Sequence, residues 1–182
     1  AIDDAEAINA IGGTPLAHVG GCISPEMELP KLRWLKRERP AAFAAAQRFW
    51  DLPDWLVHRA TGSEIRSLCS TVCKWGYLGH KGAAGEGWDD DFLAAIGLSD
   101  LTTDGHAAIG AQLAAPGSPC GELSVMAAAE LGLSPGVPVG ASLIDAYAGA
   151  LGTLGLGLAE GTKTQPGGEA LAGRLALIAG TS

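Results

Sequence analysis

Pro138-Val139-Gly140-Ala141-Ser142-Leu143-Ile144-Asp145-Ala146-Tyr147-Ala148-Gly149 passes from a short apolar run into a carboxylate and then into small residues. The run 138–144 predicts a strand, and the small residues from Ala146 to Gly152 predict a helix. A strand that hands over to a helix is the unit from which α/β folds are assembled. Asp145 stands at the handover, and in open α/β sheets ligands bind at the carboxyl ends of strands. A carboxylate in an apolar segment is costly to bury unless partners solvate it or chemistry uses it. Two roles fit Asp145: general base toward a substrate hydroxyl in phosphoryl transfer, or cap of the following helix.

Downstream, Gly157 to Gly168 is polar and rich in Gly, Thr and Pro, which predicts a loop or domain boundary. Ala170 to Ala179 predicts an apolar strand. Gly180-Thr181-Ser182 then forms either a turn that offers N–H groups and hydroxyls to phosphate, or an ordinary turn. A buried strand and polar turn normally feed another element, so the chain is expected to continue past Ser182, and the abrupt start at Ala1 gives the same expectation. Upstream, Ser124 to Gly132 and Trp88 to Gly97 predict short capped helices, the latter with three aspartates in its first turn. Arg66 to Tyr77, dominated by β-branched and small residues, predicts extended chain. Three further helices are expected: from Ser24-Pro25 to Pro40 on a Leu29, Leu32, Leu35 stripe, from Pro40 through Phe49, and from Leu52 to Ala60 with Asp51 as cap and Gly62 as stop.

The 182 residues carry 47% hydrophobic residues and 27 glycines, enough apolar content for a compact domain or most of one, and too much for disorder. Twelve basic residues against 20 acidic ones leave a net charge of −8, with only Lys31 to Arg39 densely basic. That balance argues against nucleic acid and against an anionic membrane surface as partners. The longest apolar stretch, Val137 to Ala159, contains Asp145 and repeated glycines, so it reads as buried core rather than a membrane span. No secretory leader opens the sequence, which places the protein in the cytoplasm by default.

Cys22, Cys69, Cys73 and Cys120 have neither disulfide-framework nor zinc-ligand spacing, and His18, His58, His80 and His106 are far apart, so no metal site is expected. Gly157, Gly161, Lys163 and Thr164 have the wrong spacing for a phosphate-binding loop, and Gly155-x-Gly157 lacks the rest of a dinucleotide fingerprint. Lys74 either binds an oxygen-rich ligand or snorkels at the surface; Arg66 and Ser67 carry the same ambiguity. Trp34, Trp50, Trp55, Trp75 and Trp88 read as core or interface residues rather than a sugar-stacking platform.

Five stretches taken together carry a family resemblance: Ser24-Pro25-Glu26-Met27-Glu28-Leu29-Pro30-Lys31-Leu32-Arg33-Trp34-Leu35-Lys36; Asp51-Leu52-Pro53-Asp54; Arg66-Ser67-Leu68-Cys69-Ser70 with Cys73-Lys74-Trp75; Ile144-Asp145-Ala146-Tyr147-Ala148-Gly149; and Gly180-Thr181-Ser182. In this order they resemble the FGGY carbohydrate kinases, in the ribulokinase-like branch. The resemblance implies an actin-like (ribonuclease H-like) ATPase fold, here incomplete. Residues 1–160 would be the later part of the first, sugar-binding domain, and 161–182 the linker and first strand of the second, ATP-binding domain. It further implies ATP-dependent phosphorylation of a pentulose, D-ribulose to D-ribulose 5-phosphate, with Mg²⁺. Asp145 would be the catalytic base, Lys74 a ligand of the ketose, and Gly180, Thr181 and Ser182 the phosphate-facing turn of the second domain. The sugar would lie between Asp145 and Lys74. Sugar and ATP are the implied partners, and a homodimer is left open. L-Ribulose, xylulose or a polyol as substrate, and a non-catalytic sugar-binding role, stay open because specificity depends on a few hydroxyl contacts. Glu26, Glu28 and Tyr147 depart from the family pattern, although the branch itself tends to carry acids at the first two. The opening Asp-x-Gly-Thr motif and the rest of the second domain lie outside this sequence, so the chain by itself is expected not to turn over ATP.

Overall fold

The computed structural model describes residues 1–155 and 173–179. Its first helices are α1 (Ile2–Ile11), α2 (Thr14–Ala17) and α3 (Glu28–Glu38). Leu29 and Leu32 of α3 are buried, as the leucine stripe predicts. The helix nevertheless begins four residues after Ser24, and Pro30 supplies the reason. As the third residue of α3, Pro30 gives up an N–H that has no helical partner. Were the helix to start near Pro25, the same ring would remove an interior hydrogen bond and crowd the carbonyl of residue 26. Ser24 closes a turn instead, its carbonyl accepting from the Met27 N–H at 3.0 Å.

Pro40 opens α4 (Pro40–Ala45), which ends well short of Phe49. The Phe49 N–H donates to the Ala108 carbonyl at 2.8 Å and its ring packs 5.1 Å from that of Phe43, so a distant partner takes the backbone group that a longer helix would use. Next, α5 (Leu52–Thr61) starts at Asp51, whose carboxylate accepts from the Leu52 N–H, and stops at Gly62, which adopts φ 79°.

The expectation of extended chain from Arg66 to Tyr77 is corrected. Only β1 (Arg66–Ser67) is a strand, and α6 (Leu68–Trp75) follows at once. The Ser67 hydroxyl accepts from the Ser70 N–H and Gly76 closes the helix at φ 72°; these cap signals outweigh the β-branched residues between them.

The chain continues through α7 (Asp90–Ala95), α8 (Thr103–His106), β2 (Leu113–Ala114), β3 (Pro119–Glu122), α9 (Val125–Leu131), β4 (Pro138–Gly140) and α10 (Asp145–Gly155). Ser124 caps α9 as predicted, and α7 is a short helix as predicted, although it runs Asp90–Ala95 with Asp89, expected within its first turn, as the cap. β1 and β2 are parallel, with Arg66 opposite Leu113 and Ser67 opposite Ala114. β3 and β4 are antiparallel, with an irregularity between Pro119 and Gly121. The strand predicted over 138–144 ends at Gly140, because one residue after the Ala141 N–H bonds to Ser118 the chain turns its Ser142 carbonyl toward Ser67. The strand predicted from Ala170 is not seen over the described residues 174–179, where Leu175 and Leu177 are exposed; 170–172 lie outside the described residues.

The described chain divides into two compact units, Ala1–Ser142 and a second that begins at Leu143. The core of the first includes Ile8, Leu29, Tyr77, Leu93, Ile96, Leu98 and Leu101, gathered from α1, α3, α7 and the segments between helices. In the second, α10 buries no residue, against the expectation of buried core over 137–159. The described part of that unit supplies only residues 173–179 to cover it. No helix among the described residues is long and apolar enough to cross a membrane.

Candidate functional site

The N-termini of α5 and α6 lie together through a set of polar side chains removed from water. Asp54, on the first turn of α5, is 2% exposed, and its Oδ1 accepts from the Ser67 N–H at 2.7 Å. The Ser67 hydroxyl donates to the Ser142 carbonyl at 2.6 Å while accepting from the Ser70 N–H at 3.4 Å. The Ser67 carbonyl accepts from the Thr71 hydroxyl at 2.7 Å. Ser70 donates its hydroxyl to the Asp51 carboxylate. Ser67, Ser70 and Thr71 are all buried, and buried polar groups of this kind are tolerated because nearly every donor finds an acceptor.

Arg66 is buried beside them. Its guanidinium carbon lies 3.1 Å from the centroid of the Trp50 ring, and its Nε and one terminal nitrogen have no hydrogen-bond partner. Gly110 makes room for it: a Cβ there would come within 2.5 Å of the Arg66 Cγ. Burial dominates the electrostatics of both charges. It pushes the Asp54 carboxyl up to about 6, with the Ser67 N–H and Arg66 pulling it back. It also pulls Arg66 down to about 10, against the attraction of Asp54 and Glu64.

Lys74 occupies the last turn of α6 and is half-buried. Among the described residues its ammonium makes no hydrogen bond or ion pair, which leaves the group available to an oxygen-rich ligand. Asp145 is the first residue of α10 and is exposed; its Oδ1 accepts from the Ala146 N–H at 2.8 Å, so one oxygen takes part in starting the helix. Lys74 belongs to the first unit and Asp145 to the second. Gly180, Thr181 and Ser182 lie outside the described residues.

Trp75 and Trp88 are core residues and Trp50 lies under Arg66, whereas Trp34 and Trp55 are exposed. None of the four cysteines forms a disulfide. Among the described residues no three His, Cys, Asp or Glu side chains gather to hold a metal ion.

Sequence reasoning missed Asp54 and Ser142. Asp54 passes for an ordinary acid in the first turn of a helix, where the dipole favours it, and Ser142 is one polar residue inside an apolar run. The available signal was the pairing of Asp51 with Asp54, two carboxylates at one helix start, only one of which is needed as a cap.

A model of the FGGY family of carbohydrate kinases, N-terminal domain, matches residues 14–152. The chain is 50% identical over 183 residues to an FGGY carbohydrate kinase domain-containing protein of Danio rerio, covering 98% of this chain and 32% of that protein. It is 41% identical over 197 residues to a D-ribulokinase of Saccharomyces cerevisiae, covering 100% of this chain and 27% of that one. The xylulose kinase of Rhodospirillum rubrum superimposes with a TM-score of 0.68 at 23% identity, over 83% of this chain and 29% of the other. The chain thus spans about a third of the length of the curated relatives it matches. Its fold is α/β, part of the actin-like ATPase fold of sugar kinases. Because that domain matches residues 14–152, most of this chain, the chain belongs to the FGGY family of carbohydrate kinases.

Proposed function

We propose that this chain is the middle section of a cytoplasmic kinase that transfers the γ-phosphoryl group of ATP to a pentulose, with D-ribulose as the substrate. Residues 1–160 contribute to the sugar-binding domain, and 161–182 lead into the ATP-binding domain. The observation that carries the reading is the 41% identity with a D-ribulokinase along the whole of this chain. In the proposed reaction a sugar hydroxyl attacks the γ-phosphorus, the bond from that phosphorus to the bridging oxygen breaks, ADP leaves, and the hydroxyl proton passes to the Asp145 carboxylate. The exposure of Asp145 at the start of α10 supports that role, since a base must reach its substrate. Lys74, with an uncommitted ammonium on α6, donates to sugar oxygens. Gly180, Thr181 and Ser182 face the nucleotide phosphates. Mg²⁺ would accompany the ATP phosphates and offset their charge.

The test is Asp145→Asn in the full-length protein, measured as ribulose-dependent ADP release together with calorimetric ribulose binding. Turnover is expected to fall at least a hundredfold, within the range that loss of a general base gives, while ribulose affinity stays within about threefold. Unchanged turnover would sink the assignment. L-Ribulose, xylulose and a polyol run in the same assay rank the substrates by kcat/KM.

A further inference from the structure

We propose that Ser67 is a positioning residue for the phosphoryl transfer, acting through the chain that leads to Asp145. The proposal rests on the kinase reading above, with Asp145 as base.

Ser67 uses each of its polar groups on a different neighbour. Its N–H donates to Asp54, its carbonyl accepts from Thr71, and its hydroxyl accepts from the Ser70 N–H while donating to the Ser142 carbonyl at 2.6 Å. The last bond sets it apart from an ordinary helix cap. A cap needs only the oxygen lone pair, whereas here the hydroxyl proton is spent on a carbonyl 75 residues away in sequence. That carbonyl belongs to the last residue of the first unit, three residues before Asp145. β4 has already ended at Gly140, and Ala141, whose N–H donates to the Ser118 carbonyl and whose carbonyl accepts from the Gly117 N–H at 3.0 Å, is the last residue held by backbone pairing to the chain beside it. From there the Ser67 hydroxyl takes over at the Ser142 carbonyl.

Ser67 is itself fixed. It is 1% exposed, it pairs with Ala114 in the parallel strand, and Asp54 holds its backbone. The anchor therefore stands on α5, β1 and β2 together. Fixing the carbonyl of residue 142 fixes the point of the first unit from which the chain continues to residues 143–145. Small errors in the placement of a reacting group are costly in rate, roughly a hundredfold for about 1 Å.

The experiment measures Ser67→Ala and Ser67→Thr in the full-length protein beside Asp145→Asn, with kcat and KM for D-ribulose and the fraction folded from thermal unfolding. Ser67→Ala is expected to lower kcat at least tenfold at a temperature where it is fully folded, with KM changed less than about threefold. Ser67→Thr, which keeps the hydroxyl, is expected to retain most of kcat. A purely structural role would lower the melting temperature and leave the kcat of the folded protein intact, which would overturn the proposal. A raised KM with unchanged kcat would overturn it as well, since the effect would then pass through sugar binding and Lys74. If Ser67→Ala does not fold, Ser67→Cys, close in volume and a weak donor, decides on the same kcat criterion with a fivefold threshold. An active Asp145→Asn would overturn the kinase reading itself; an inactive Asp145→Asn beside a fully active Ser67→Ala would overturn only the present proposal.

Discussion

Asp54 and Arg66 are an acid and a base taken out of water in the same corner of the first unit, each 2% exposed. The Asp54 carboxyl is raised to about 6, mainly by desolvation, from an ordinary value near 4. Its folded-state value lies above its unfolded one, so the folded protein holds the extra proton between about pH 4 and 6. By linkage, the contribution of this group to stability is full below about pH 4, falls as pH rises through 6 and is level above that, a span of about 3 kcal/mol. Asp54→Asn keeps an oxygen acceptor for the Ser67 N–H and cannot ionise. Denaturant titrations of wild type and Asp54→Asn at pH 4, 5, 6 and 7 are expected to show this downward component in the wild type and its loss in the variant. Parallel curves would show that Asp54 titrates normally.

Helix starts were legible at Asp51 and Ser124, where a side-chain cap satisfies orphan N–H groups beside an evident helix pattern. Because such a cap acts locally, its removal has a calculable effect. Ser124→Ala removes the bond to the Ala127 N–H, 3.2 Å long, and is expected to cost about 1 kcal/mol in urea denaturation. No measurable loss would mean that α9 is held by packing of Ala127 and Ala128 alone. Elements were misread where a distant group decides. α4 stops short of Phe49, whose N–H bonds to Ala108, and the segment after Arg66 turns helical because Ser67 caps it within a site built by Asp54. In both places local propensity is a weak prior that tertiary partners override.

Across the molecule, the cysteines report on packing. Cys22 is exposed and Cys120 is buried, with a thiol pushed up by desolvation and by the charge of Asp54. The thiolate is the reactive form, so alkylation followed by peptide mapping is expected to label Cys22 rapidly in the native protein and Cys120 only on unfolding. Equal labelling would mean that the contact of Cys120 with Val57 and Ala141 opens readily.

The sequence by itself determined the family, the α/β class, the capped starts of α5 and α9 and the candidates Lys74 and Asp145, because those follow from short motifs and local chemistry. Only the tertiary structure decided which polar residues meet. Asp54 and Ser142 are unremarkable in their own neighbourhoods, yet they lie 13 and 75 residues from the serine that joins them. The burial of Asp54, and therefore the rise of its carboxyl, is set by chain brought together from α5, β1 and α6, which no spacing along the sequence records.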